Sequence, residues 1–306
     1  MDLSKLGYTK PLYILPFDHR STFAEKMFGL KSIEALNEEQ IDLIKEFKML
    51  IYKGFKDAVE KLIPTDSAAI LCDEQYGSEV LIDAKHNGFV TILTIEKSGE
   101  EEFKFQYEDF GEHIDRFKPV FTKVLIRYSP EDAEQLKERQ KKNLKTISDF
   151  SHKNNYKFLL EVLVLPTEED LKKVSQDREK YDSEIRPRLT VEVIKELQEY
   201  GIEPDVWKLE GFDSEKEYEE IVKAARRGGR DSVGIVVLGR GAGEEKVDEW
   251  LEIGSKVPGV IGFAVGRTVF WDVLEKFYNG KVGKWEVIQT VSDNFQKFYK
   301  IFASFN

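Results

Sequence analysis

The chain has 306 residues, a formal net charge of −11 and 34% charged residues, an acidity that argues against nucleic acid as a partner. Its 41% hydrophobic content can fill a sizeable core. No run approaches the length of about 18 apolar residues that a membrane span needs, and the N-terminus has no signal-peptide segment, so a cytoplasmic chain without a membrane partner is expected. Cys72 is the one cysteine, which excludes an intramolecular disulfide and a cysteine-based zinc site.

Taken in chain order, eight short apolar runs read as strands: 12–17, 68–72, 89–95, 121–126, 158–164, 206–209, 232–238 and 260–265. Most lack clean alternation, as strands covered on both faces do. Helical patterns lie between many of them, at 38–62, 130–154, 190–200, 215–227 and 244–256. Ser129-Pro130 is expected to open the second of these and Gly201 to close the third. The polar stretch 97–118 carries a weaker helical pattern. The stretch 287–305 reads as an amphipathic helix that either closes the fold or meets another subunit of a homo-oligomer. Clusters such as Glu100-Glu101-Glu102 and Lys141-Lys142 read as solvated faces. Eight strands with interleaved helices predict a single (β/α)8 TIM barrel over residues 1–306. A doubly wound nucleotide fold would need G-x-G-x-x-G after the first strand, where the chain has Phe17-Asp18-His19-Arg20.

Barrel enzymes gather their reactive groups at the C-terminal ends of the strands. Those ends carry Asp18, His19 and Arg20 on the first strand and Asp73, Glu74 and Tyr76 on the second. Lys123 and Arg127 lie on the fourth, Glu161 on the fifth, and Lys208 and Glu210 on the sixth. The seventh ends in Gly239-Arg240-Gly241-Ala242-Gly243 and the eighth in Gly266-Arg267-Thr268. Lys208 stands among large hydrophobes in Val206-Trp207-Lys208-Leu209, where desolvation disfavours the ammonium form. A neutral amine there is a nucleophile toward carbonyls, the chemistry of a Schiff base. Burial of Glu161 is expected to raise its pKa into a general acid/base range, unless it pairs with Lys123 or Arg127. Asp18 suits a substrate hydroxyl, with a cap or a salt bridge to Arg20 as the alternative. Two Gly-Arg pairs at neighbouring strand ends favour a phosphate site. Asp73 with Glu74 admits a divalent metal, but no ligand spacing supports one, and no metal or other cofactor is expected. Trp207 and Phe270-Trp271 read as packing.

Several of these motifs together resemble a known family. Leu-Tyr-Ile-Leu-Pro-Phe-Asp-His-Arg (12–20), Trp-Lys-Leu-Glu-Gly (207–211), Leu-Gly-Arg-Gly-Ala (238–242) and Gly-Phe-Ala-Val-Gly-Arg-Thr-Val-Phe-Trp (262–271) are similar to the class I aldolase domain of myo-inositol catabolism. That domain is usually fused to 5-dehydro-2-deoxygluconokinase. A more distant likeness is to tagatose 1,6-bisphosphate aldolases, whose Schiff-base lysine falls on Lys208. The resemblance implies a carbon–carbon lyase that cleaves 2-deoxy-5-keto-gluconate 6-phosphate to dihydroxyacetone phosphate and malonate semialdehyde. It implies Lys208, Glu161, Asp18 and Lys123 as catalytic residues. Arg20, Glu74, Gly239, Arg240, Gly241, Gly266 and Arg267 would bind the phosphorylated keto-sugar.

The chain departs from the family in Ser21-Thr22, where Gly-Ser is expected, so the loop after the first strand should differ in shape. It also carries no kinase domain, so another protein would have to phosphorylate the substrate. Cleavage of another ketose bisphosphate, a phosphosugar isomerase or metal-assisted lyase using Asp73 and Glu74, and a non-catalytic sugar-phosphate-binding barrel are the alternatives.

Overall fold

A computed structural model describes residues 2–239 and 243–304. All eight expected strands form: β1 (Leu12–Pro16), β2 (Ala68–Cys72), β3 (Val90–Thr94), β4 (Phe121–Arg127), β5 (Lys157–Leu163), β6 (Val206–Glu210), β7 (Gly234–Leu238) and β8 (Val260–Ala264). They are parallel neighbours in sequence order, and β8 pairs back onto β1 to close a single (β/α)8 barrel.

The helices are α1 (Glu38–Lys61), α2 (Glu74–His86), α3 (Phe110–Phe117), α4 (Glu134–Lys153), α5 (Glu168–Lys173) and α6 (Arg178–Lys180). After them come α7 (Arg186–Glu199), α8 (Glu215–Ala225), α9 (Glu244–Ser255), α10 (Arg267–Tyr278) and α11 (Lys284–Ala303). None of the described helices is long and apolar enough to cross a membrane.

The strands are buried on both faces because alternate residues serve two cores. Leu12, Ile14, Ala69, Leu71, Val90, Ile92, Phe121, Leu159, Val206 and Val236 fill the barrel interior. The intervening residues, such as Leu15, Ile70, Leu93, Val124, Leu160, Trp207 and Phe263, pack outward under the helices. This period-two alternation makes the site. Counted from the interior apolar residues, the same parity arrives at Asp18, Glu96, Lys123, Glu161, Lys208 and Gly266, all of which line one cavity. An apolar plug thus closes the barrel below, and the charged layer sits directly above it.

Local chemistry explains where elements start and stop. Asn37 and Gln40 form a reciprocal capping box on α1, and Gly201, at φ +81°, ends α7 after Tyr200. Ser129-Pro130 does not open α4. Asp132 accepts the Ser129 N–H at 2.7 Å in a preceding turn, and the helix begins four residues later at Glu134. α7 begins at Arg186, before the expected 190, with Pro187 in its first turn. The stretch 97–118 opens as a hairpin, in which Glu96 bridges Phe105 antiparallel, and only then forms α3. Lys141 is buried rather than solvated, paired with Glu138 at 2.5 Å and Glu196 at 3.4 Å. α11 packs on α1, α10 and α9 of its own barrel, and Phe263 meets its Phe295, Phe298 and Phe302.

Candidate active site

The cavity at the C-terminal end of the barrel encloses about 340 Å³. Its centre is a chain of charged side chains across five strand ends. Lys208 on β6 is in register with Glu161 on β5, and Lys208 Nζ lies 2.7 Å from Glu161 Oε2. The same oxygen lies 3.0 Å from Lys123 Nζ. Lys123 also donates to Asp18 Oδ2 at 2.9 Å and to Glu96 Oε1 at 2.6 Å. Its ammonium therefore faces three carboxylates, from the ends of β1, β3 and β5.

These contacts fix the charge states. Burial opposes the Lys123 ammonium, but Asp18, Glu161 and Glu96 outweigh it and hold its pKa well above the ordinary lysine value. Burial alone would raise Asp18, yet Lys123, His19 and Lys208 bring it far below the usual carboxylate range. For Glu161 the expectation is overturned. Burial does raise it, but Lys123 and Lys208 prevail and its pKa is lowered. The resting carboxylate is therefore ionised, a state that can accept a proton but not donate one. His19 goes the other way. Burial lowers its pKa to about 4, only partly opposed by Asp18, so the imidazole is neutral near pH 7.

Gly239, Gly266, Arg267 and Thr268 line the same cavity. Gly266 caps α10 and Arg267 begins it, so the positive end of that helix's dipole meets the cavity. A Cβ at Gly266 would stand 2.4 Å from the Pro16 carbonyl oxygen, so only glycine lets the β8 loop lie so close to β1. Among the described residues the Arg267 guanidinium has no hydrogen bond or ion pair. Arg240 and Gly241 lie outside the described residues.

Two expected ligand residues are turned elsewhere. Arg20 reaches the cavity wall, but its Nη groups are committed to Gln75 at 3.1 Å, Gln106 at 3.0 Å and the Glu96 carbonyl at 2.7 Å. It braces the loops after β1, β2 and β3. Glu74 does not line the cavity; its Oε1 lies 2.6 Å from His113 Nδ1, and His113 stacks on Tyr107. Asp73 caps α2 through the Tyr76 N–H and pairs with Lys48, so Asp73 and Glu74 have separate partners. Among the described residues no group of three or more histidine, cysteine or carboxylate side chains is arranged to hold a metal. Asp18 pairs with Lys123, not with Arg20.

Sequence reasoning missed Glu96 and Lys48. Glu96 follows the β3 run just as Asp18 follows β1, so the strand-end rule would have found it. The acidic run Glu100-Glu101-Glu102 lines the cavity mouth as part of the β3 hairpin. Ser21 joins that hairpin to the β1 loop, its N–H donating to Ser98 Oγ at 3.1 Å. The serine that replaces glycine adds a side-chain contact between the two loops, Ser98 Oγ donating to Ser21 Oγ at 3.2 Å.

Residues 5–305 match the family described as "Uncharacterized protein conserved in bacteria (DUF2090)". The chain belongs to this family. No curated protein matches the sequence of this DUF2090 barrel. Among solved structures it is similar to Cgl0159 from Corynebacterium glutamicum, at 15% identity and a TM-score of 0.56 over 96% of this chain and 87% of that one. It is similar to a fructose-bisphosphate aldolase from Slackia heliotrinireducens, at 12% identity and a TM-score of 0.55 over 97% and 87% of the two chains. A Schiff-base-forming fructose-1,6-bisphosphate aldolase aligns at 14% identity and a TM-score of 0.53 over 92% and 93%. At these identities the likeness establishes the shared barrel.

Proposed function

We propose that this barrel is a Schiff-base aldolase acting on a phosphorylated keto-sugar. The observation that carries the proposal is the buried contact of 2.7 Å between Lys208 Nζ and Glu161 Oε2, in the cavity that also holds Arg267, which has no ion pair among the described residues. A structural ion pair would not need an open cavity beside it. The Schiff-base fructose-1,6-bisphosphate aldolase among the similar structures is consistent with this chemistry on the same fold.

The steps follow from the charge states. Glu161, ionised at rest, accepts a proton from the Lys208 ammonium, whose loss of charge is favoured by the like charge of Lys123 beside the same carboxylate. The freed amine adds to the substrate ketone, and a proton passes from its nitrogen to the carbonyl oxygen to give a neutral carbinolamine. Glu161 returns its proton to that hydroxyl, which leaves as water, and an iminium forms on Lys208. Asp18 removes the proton from the hydroxyl of the departing aldehyde fragment. The carbon–carbon bond breaks, and its electron pair enters the iminium to give an enamine. Protonation of the enamine carbon and hydrolysis release the ketone product and regenerate Lys208. Throughout, Arg267 with the α10 N-terminus holds the phosphate, so that remote binding energy orients the reacting centre. Lys123, hydrogen-bonded to Asp18 and Glu96 and ion-paired with Glu161, keeps Asp18 and Glu161 ionised.

The finer assignment is cleavage of 2-deoxy-5-keto-gluconate 6-phosphate to dihydroxyacetone phosphate and malonate semialdehyde, in the cytoplasm. It rests on the motif resemblance in 12–20, 207–211, 238–242 and 262–271. A coupled assay that reduces dihydroxyacetone phosphate with NADH tests it, with tagatose 1,6-bisphosphate and fructose 1,6-bisphosphate as competitors. Fastest turnover of the inositol-derived substrate is expected. Faster turnover of a bisphosphate would reassign the substrate, and no turnover of any would remove the aldolase proposal.

A further inference from the structure

Lys48 is a fully buried charge that the scheme above leaves unused. It lies on α1 in the apolar face formed by Ile44, Phe47, Ile51 and Phe55, and its side chain has no exposed surface. A lysine in such a place is costly unless its donors are all taken. They are. Its Nζ donates to the Phe17 carbonyl at 2.5 Å, to the His19 carbonyl at 3.1 Å and to Asp73 Oδ1. Asp73 uses its other oxygen to accept the Tyr76 N–H at 2.8 Å at the start of α2. One ammonium therefore ties α1 to the ends of β1 and β2. The two carbonyls it holds are those on either side of Asp18.

We propose that Lys48 is a positioning residue for the bond-breaking step: by fixing the carbonyls of the residues on either side of Asp18, it holds that carboxylate where it can take the hydroxyl proton. The inference rests on the aldolase proposal. It separates two halves of the site. Lys208 and Glu161 stand on β6 and β5, which Lys48 does not touch, so iminium formation should not depend on it. Asp18 depends on it directly, and a carboxylate displaced by about 1 Å can lose about 100-fold in rate.

The test is a double variant, Lys48→Met with Asp73→Asn. It removes both charges together, so neither is left buried and alone, and the asparagine oxygen can still cap α2. Circular dichroism and a melting curve check its fold. Two activities are then compared with the parent enzyme: trapping of the iminium by borohydride with dihydroxyacetone phosphate, and cleavage of 2-deoxy-5-keto-gluconate 6-phosphate. The expected result is trapping within twofold of the parent and cleavage lowered about 100-fold, in kcat more than in KM. Cleavage within threefold of the parent would overturn the inference. So would a parallel loss of trapping and cleavage in a folded variant, which would mean a general structural role. If the parent itself neither traps nor cleaves, the aldolase proposal fails, and a crystal structure of the double variant still decides the positioning. The contact of 2.9 Å between Asp18 Oδ2 and Lys123 Nζ should open beyond hydrogen-bonding reach, and its persistence would overturn the inference.

Discussion

Two residues of one strand, Val206 and Trp207, separate two buried ionic clusters of opposite character. Asp205, just before β6, sits at the N-terminal end of the barrel. Its carboxylate takes the Gly7 N–H, the Phe158 N–H and Lys157 Nζ, each at 2.8 Å, and His152 Nε2 at 3.0 Å. Four donors fill its acceptor sites, and they bind the N-terminal segment, α4 and β5 together. Burial raises its pKa, but His152 and Lys157 with the two backbone donors outweigh it and bring the value down. Lys208, three positions on, belongs to a cluster of similar groups that opens into a cavity and lies near an arginine with no partner among the described residues. A saturated cluster with no adjoining space can only stabilise. An unsaturated one facing space can exchange protons and bind anions. Barrels divide labour between their two ends in this way, and this strand carries both roles.

The sharpest break of that comparison is Lys208→Met. It should lower cleavage by about 10⁴-fold or more, over 5 kcal/mol in transition-state terms. The variant should still melt near the parent temperature, because Lys123 continues to hold Glu161. Next is Asp205→Ala, which leaves two buried N–H groups and two basic side chains without their acceptor. Urea unfolding should show a loss of about 3–5 kcal/mol, with kcat unchanged wherever the variant is folded. Loss of activity in folded Asp205→Ala would mean that the two ends are coupled.

Arg267→Gln should weaken the phosphate anchor, lowering kcat/KM for a phosphorylated substrate about 10- to 100-fold without moving the melting temperature. The smallest effect concerns His19. Its unfolded form takes up a proton below about pH 6.5, while the folded form resists until about pH 4. Stability should therefore fall as pH drops through that window. Unfolding at pH 7 and pH 4.5 should show the parent losing about 2 kcal/mol more than His19→Gln, and equal losses would refute this account of His19.

Much of this site was legible because barrel geometry turns strand order into position. Asp18, Lys123, Glu161 and Lys208 each follow an apolar run at interior parity, and the fold brings all four into contact. The pKa direction of Glu161 was not legible, because burial and ion pairing oppose each other and only the distances to Lys123 and Lys208 decide which prevails. Arg20 and Glu74 looked like ligand residues from their addresses, but a strand-end position does not reveal that Gln75, Gln106 and His113 already hold them. Lys48 was readable in principle as a charge on the apolar face of α1. Its partners, two carbonyls and a carboxylate from other elements, come together only through tertiary packing.

The most direct test of the central claim is borohydride reduction of the protein with dihydroxyacetone phosphate, followed by peptide mapping. The account predicts one adduct, on the peptide carrying Lys208, and none in Lys208→Met. No adduct, or an adduct on Lys123, whose ammonium is held charged by three carboxylates, would contradict it.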